Sequence, residues 1–141
     1  MACYSGLVAE DDWDVPYRKT LHEALAVLHG HWTVAVLATL ALGDRRYSDL
    51  RDEINQAEER MGWASHPKPV ADKVLLSTLQ RARENGLVHR FAEDANQVGS
   101  SVWYGLTVSG QTLIASLRPL VSWAQQHRER LTAARAAERA D

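Results

Sequence analysis

The sequence predicts a mainly α-helical domain with one small β-hairpin, on three observations. Apolar residues recur at helical spacing in four segments before Gly86. The period then changes from 3.6 to 2 between Leu87 and Thr107, and helical spacing resumes after Ser109.

The first helix is expected over Thr20–His29, where Leu21, Leu25 and Leu28 share a face and Gly30 breaks the pattern. The second, Trp32–Leu42, is nearly all apolar, as suits a helix buried on most sides. Gly43 supplies a left-handed stop, followed by the short connection Asp44-Arg45-Arg46. Ser48 then reads as an N-cap, with Asp49 in the first turn, where the helix dipole favours a carboxylate. The third helix is expected to turn Leu50, Ile54, Ala57 and Met61 inward and to end at Gly62.

Two prolines forbid regular helix in Trp63-Ala-Ser-His-Pro-Lys-Pro69. This connection is expected to be pinned to the body by Met61, Trp63 and the prolines. Pro69 suits the first turn of a fourth helix over Val70–Glu84, which buries Leu75, Leu79 and Ala82. Lys73, Ser77, Gln80 and Arg81 lie on or beside its other face, and Thr78 is placed with them. Leu87–Ala92 and Val102–Thr107 read as two strands joined by the polar loop 93–101. A last helix from Ser109 to about Ala137 carries a seam of Leu113, Leu117, Leu120, Ala124, His127 and Leu131, bent by Pro119. Helices followed by a polar-faced helix and a hairpin make a winged helix-turn-helix, here flanked by N- and C-terminal helices suited to dimerisation.

The 141 residues suit one domain, with 45% apolar content to build its core. We divide them into an acidic arm (1–19), the winged-helix domain (20–127) and a helical tail (128–141). No apolar run approaches the roughly 18 residues of a membrane span, so no membrane partner is expected. No signal-peptide pattern opens the chain, and its single Cys3 has no internal disulfide partner; both fit a cytoplasmic location. The net charge of −2 argues against nucleic acid until its distribution is considered. Glu10, Asp11, Asp12 and Asp14 sit in an opening stretch without Lys or Arg, whereas between Pro67 and Arg90, in and around the fourth helix, Lys68, Lys73, Arg81, Arg83 and Arg90 outnumber Asp72 and Glu84. Local charge at the contacting face matters more than the total.

A helix-turn-helix reader lays one helix in the major groove, while the preceding helix and the wing hold phosphates. The candidates for contact with double-stranded DNA are Arg46, Ser48, Lys68, Lys73, Ser77, Thr78, Arg81, Arg90, Asn96 and Gln97. For a homodimer interface they are Leu21, Leu25, Leu113, Leu117, Leu120 and Trp123. Trp32 and Trp123 are candidates to line a pocket for a small-molecule effector.

The sequence resembles the HxlR-type winged-helix regulators, relatives of the MarR group. The matching segments are Ala24-Leu25 through Gly30-His31-Trp32-Thr33, Arg45-Arg46-Tyr47-Ser48-Asp49-Leu50, and Lys73-Val74-Leu75 with Leu79. They continue with Asn85-Gly86-Leu87-Val88, Val102-Trp103-Tyr104-Gly105-Leu106-Thr107, then Gly110, Leu113 and Trp123, so the resemblance covers about residues 20 to 127. It implies a bacterial one-component transcription regulator, dimeric through its first and last helices. Three departures qualify it. Lys19 stands thirteen residues before Trp32, where many members carry an oxidant-sensing cysteine, which excludes thiol switching there. The stretch 56–70 is longer than the family's tight turn. Ala71, Leu76 and Thr78 replace the family's Ser, Thr and Arg, which implies a different operator.

Enzymes and metal sites find little support. His22-Glu23 begins an HExxH pattern that Ala26 breaks, no histidine or cysteine spacing fits structural zinc, and no nucleophile or phosphate-loop motif or cofactor signature is present. The competing class is a winged helix used for protein–protein interaction that has lost DNA binding, which the near-neutral charge, Ala71 and Leu76 favour.

Overall fold

The computed structural model describes residues 15–140. Helix α1 spans Val15–Ala26 and α2 spans Thr33–Leu40. Strand β1 is Arg45–Arg46, α3 is Tyr47–Arg60 and α4 is Asp72–Glu84. Strands β2 (Val88–Ala92) and β3 (Val102–Leu106) form the hairpin. Helices α5 (Val108–Ser116), α6 (Arg118–Gln126) and α7 (Arg128–Ala140) complete the chain. The acidic cluster of residues 10–14 and Cys3 lie outside the described residues, and residues 15–19, assigned above to an arm, belong to α1.

The core is where α2, α3, α4 and the sheet meet. Val36, Leu37, Leu50, Ile54, Leu75 and Leu79 are its largest fully buried side chains, each stabilising the fold by about 1.5–3 kcal/mol through burial. Helical spacing puts Leu75, Leu79 and Ala82 on one side of α4, as the sequence implies. The sheet is antiparallel in the order β1-β3-β2. Its register pairs Arg45 with Tyr104 and Arg46 with Trp103 on one edge, and Arg90 with Tyr104 on the other.

Several boundaries differ from expectation for identifiable reasons. Because Arg45 and Arg46 pair with β3, the chain is extended up to Arg46, and α3 starts at once at Tyr47. Arg46 is therefore the N-cap residue and Ser48 lies within the first turn. Helix α4 begins at Asp72, not at Val70. Val70 is buried and its N–H donates to Asn55 Oδ1 over 3.0 Å, which keeps the chain extended through Ala71, the N-cap residue, and leaves Pro69 outside the helix. Thr78 is buried, its hydroxyl donating to the Val74 carbonyl at 2.9 Å, so it is not on the exposed face. The last helix is three helices, broken at Leu117 and His127. Pro119 lies in the first turn of α6, where its missing N–H costs nothing, so the break falls just before it.

The start of α5 is fixed tightly against the turn after α4. The Thr107 hydroxyl accepts from Gly110 N–H and donates to the Gly86 carbonyl, and Thr107 N–H donates to the Leu87 carbonyl at 3.0 Å. A β-carbon on Gly110 would stand 2.2 Å from that same Leu87 oxygen, so only glycine fits this approach.

The long connection is held differently from the sequence expectation. After α3 the chain leaves through two left-handed residues, Gly62 and Trp63 (φ 67° and 59°), with Trp63 N–H bonded to the Glu58 carbonyl. Met61, expected inward, is 52% exposed, and Trp63 is half-buried. The pin is His66. Its ring is buried and stacks on Trp32 with centroids 3.6 Å apart. Its Nδ1 lies 2.7 Å from Glu58 Oε1 and its Nε2 lies 2.5 Å from the His31 carbonyl oxygen. Glu58 itself is 2% exposed.

Candidate nucleic-acid interface

A recognition helix must be anchored on one side and free on the other. Helix α4 meets both conditions. Lys73, Ser77 and Arg81 recur every four residues on the side away from Leu75, Leu79 and Ala82, and all three are exposed. Exposed Val74 and Leu76 lie on either side of the row. Arg81 is not wholly free, since its Nη1 donates to the His29 carbonyl at 3.1 Å and ties α4 to the turn after α1. Lys68 is exposed in the connection leading into α4.

The N-termini of α3 and α4 are joined by a polar network that the sequence reading missed. Tyr47 Oη donates to Asp72 Oδ1 at 2.8 Å, and Arg51 Nη1 reaches the same oxygen at 3.3 Å. The Asp72 carboxyl is held below the usual carboxylate range, first by the Tyr47 hydroxyl and then by Arg51. The Tyr47 phenol is pushed up to about 12, by burial first and then by its bond to Asp72. The network fixes the angle between the two helices at the end where they would meet DNA. Asp72 lies 25 and 21 positions after its partners Tyr47 and Arg51, so no local spacing announces it.

The wing places the other candidates. Arg90 is exposed on β2, and Asn96 and Gln97 are exposed at the hairpin tip. The tip is shaped by Asp94, which accepts from Asn96 N–H at Oδ1 and from Gln97 N–H and Ser100 Oγ at its carbonyl. Ser48 is exposed on the first turn of α3. Arg46 is already engaged: its Nη2 donates to Glu93 Oε1 at 2.8 Å and its guanidinium lies 5.3 Å from the Trp103 ring centroid. That pair is half-exposed, so it constrains the arginine more than it stabilises the fold.

Of the dimer candidates, Leu21, Leu25, Leu120 and Trp123 are exposed, and Leu113 and Leu117 are half-buried. No residue of α1, α6 or α7 is buried. Trp32 is packed beneath His66, whereas Trp123 is on α6 and stacks on His127; no described cavity is lined by both. No described helix is long and apolar enough to cross a membrane. Among the described residues no group of His, Cys, Asp and Glu is arranged to hold a metal ion.

With this geometry established, comparison with known proteins is decisive for the family. The family model for HxlR-like helix-turn-helix proteins matches residues 27–132. The chain belongs to this family. An HTH-type transcriptional regulator of Methanothermobacter thermautotrophicus is 29% identical over 124 residues, covering 88% of this chain and 83% of the relative. The HTH-type transcriptional regulator YtfH of Escherichia coli is 29% identical over 101 residues, or 72% of this chain and 68% of the relative. Among solved structures, a MarR-family regulator from Enterococcus faecalis shares the fold, with a TM-score of 0.64 at 22% identity over 82% of this chain and 92% of that one. YtfH from Salmonella typhimurium gives a TM-score of 0.58 at 25% identity over 82% and 89% of the two chains. This HxlR-like protein is a transcriptional regulator of the helix-turn-helix type and not an enzyme. Lys19 is exposed on α1, with its Nζ 3.9 Å from Glu23 Oε1.

The Tyr47–Asp72 bond yields a pH-dependent prediction. A carboxyl whose folded-state pKa is depressed stabilises the fold above its unfolded value and loses that contribution as pH falls through the folded value. Tyr47→Phe removes the largest cause of the depression, so Asp72 should titrate closer to the ordinary range and contribute less to the acid-side loss of stability. Carboxyl carbon chemical shifts followed through an acid titration test this, and an Asp72 curve identical in both proteins would contradict it.

Proposed function

We propose that this regulator binds duplex DNA sequence-specifically as a homodimer, with α4 in the major groove and the wing on the sugar–phosphate backbone. The observation that carries the reading is the exposed row Lys73, Ser77 and Arg81 on a helix whose opposite side is locked in the core. The N-terminal half of a recognition helix enters the groove most deeply, which assigns Lys73 and Ser77 to base edges and Arg81 to phosphate. Arg90, Asn96 and Gln97 on the wing complete the backbone contacts, with Ser48 and Lys68 flanking the groove.

The homodimer is supported by the apolar residues on helices that bury nothing within one chain. Leu21 and Leu25 on α1, and Leu120 and Trp123 on α6, are each between 44% and 55% exposed. A self-complementary two-fold interface through these helices gives that surface a partner and spaces two α4 helices for successive major grooves. The rival reading, a protein–protein module, draws on exposed Val74 and Leu76.

DNA binding of this kind has a salt signature: log affinity falls with log salt by about 0.9 per phosphate neutralised. Binding to the DNA upstream of its own gene and to a scrambled duplex is to be measured across a salt series. Lys73→Ala is expected to lose roughly 1–3 kcal/mol of operator discrimination, whereas Arg90→Ala should weaken both duplexes alike and flatten the salt slope. If Lys73→Ala discriminates like wild type, α4 is not the reader; a flat wild-type slope would favour the protein-binding module. For the assembly, Leu117→Asp puts a charge into the apolar seam and should yield monomers in sedimentation, where the wild type runs as a dimer. A wild-type monomer at micromolar concentration would refute the interface.

A further inference from the structure

Helix α4 is flanked on two sides. Asp72 and Arg81 are nine residues apart in it, about two and a half helical turns, and so project to opposite sides. Asp72 meets Tyr47 and Arg51 at the N-terminus of α3. Arg81 meets the turn His29-Gly30-His31 between α1 and α2. Between that turn and α4 runs a groove of about 410 Å³, lined by His29, His31, Lys73, Ser77 and Arg81 together with buried Trp32 and Thr78. Its chemistry is one-sided. The exposed polar side chains are a guanidinium, an ammonium, a hydroxyl and two imidazoles, and no carboxylate lines it. All five are open to solvent, so a guest can reach them.

The turn is held by its backbone and leaves its rings free. The His29 carbonyl accepts from Thr33 Oγ1 at 2.9 Å and from Arg81 Nη1 at 3.1 Å, and the His31 carbonyl meets His66 Nε2. Neither imidazole of the turn has a hydrogen-bond partner among the described residues, and Arg81 keeps Nε and Nη2 unengaged there. The close approach to α4 needs Gly30. Its φ is 122°, and a β-carbon would stand 2.7 Å from Thr33 Oγ1 and 3.1 Å from Arg81 Nη1.

We propose that His29, His31 and Arg81 form a phosphate clamp for the DNA strand that passes α4 on the side opposite α3. The clamp rests on the DNA-binding reading above. A helix with its side chains is about 10–12 Å across and the major groove about 12 Å wide, so a helix in the groove has a sugar–phosphate strand on either side. Ser48, next to the Tyr47–Asp72 contact, serves one strand, and the clamp serves the other. Arg81 presents a planar fork of donors that matches two oxygens of one phosphate, and each imidazole adds an N–H. A free phosphate ion offers the same oxygens. The donors lie exposed side by side along α4, however, which suits a strand running past them better than a small anion that needs enclosing.

Ethylation interference on the duplex upstream of the protein's own gene tests the clamp, with the full chain as wild type and as a His29→Ala, His31→Ala double variant. The turn is anchored through carbonyls, so both rings can be removed with the fold retained, which circular dichroism checks; His29→Ala alone should show the same change at reduced size. In the wild type, ethylated phosphates on both sides of the recognised major groove should block binding. The double variant should lose the interference on one side and keep it on the other. It should also bind operator and scrambled duplex alike about tenfold or more weakly, the scale of one hydrogen bond to a charged group. An interference pattern and affinity unchanged in the double variant would overturn the clamp and leave the DNA-binding reading standing. Interference lost on both sides would overturn it too, since the rings would then act on the placement of α4 as a whole. A wild type that binds no DNA strikes the DNA-binding reading, and the clamp with it. Inorganic phosphate, titrated into the DNA-free protein, separates the two sources of phosphate. Saturable shifts of the His29 and His31 ring resonances, together with an unchanged interference pattern in the double variant, would assign the groove to a free anion and overturn the clamp.

Discussion

Much of this molecule depends on how a buried histidine is held. His66 sits in the middle of a connection too long for a tight turn, and it reaches three separate elements. It stacks on Trp32 at the start of α2, meets Glu58 on the last turns of α3, and closes on the backbone of His31. Without such a clip, eleven residues between α3 and α4 would give the recognition helix freedom in angle and depth. The stack and the two polar contacts replace that freedom with a fixed path, which Val70 then continues by burying its side chain and bonding Asn55. The arrangement carries a cost: an unpartnered buried carboxyl oxygen is worth about 1–3 kcal/mol of destabilisation. It persists because the surrounding packing determines the position of both residues.

Around this clip, rigidity and exposure are distributed as a DNA reader requires. The core of α2, α3, α4 and the sheet locks the inner side of α4. The Tyr47–Asp72–Arg51 network fixes its N-terminus against α3, and Arg81 fixes its C-terminal half to the turn after α1. The exposed row between these anchors has its backbone placed in advance, so the base contacts proposed for it would need to order only side chains. Electrostatics follow the same division. The net charge of −2 belongs to the whole chain, whereas the outward face of α4 and the first wing strand present Lys73, Arg81 and Arg90. Helices α1 and α6 bury no residue in this core and expose leucine and tryptophan, the surface on which the proposed dimer rests.

What was legible in the sequence follows from the range of the interactions responsible. The inward residues of α4, the two hairpin strands and the apolar character of α2 are set by spacing within one element, and periodicity reads such spacing directly. Boundaries set by distant partners were not legible. The short strand β1 exists because Arg45 and Arg46 pair with residues almost sixty positions later, and that pairing displaces the cap from Ser48. Thr78 reads as a polar surface residue, but its hydroxyl satisfies itself on the preceding turn and the side chain is buried. The same holds for the pin of the connection. Met61 and Trp63 carry the apolar signal, yet His66 does the anchoring, because its partners Trp32, His31 and Glu58 come together only in the folded chain.

The claim that a histidine clip sets the path into the recognition helix is tested most directly by native-state hydrogen exchange on His66→Ala. The account predicts lost protection confined to residues 61–71 and the first turn of α4, with protection of Leu37, Leu50 and Leu79 retained. Unchanged protection across the connection would contradict it, as would a uniform loss over the whole core.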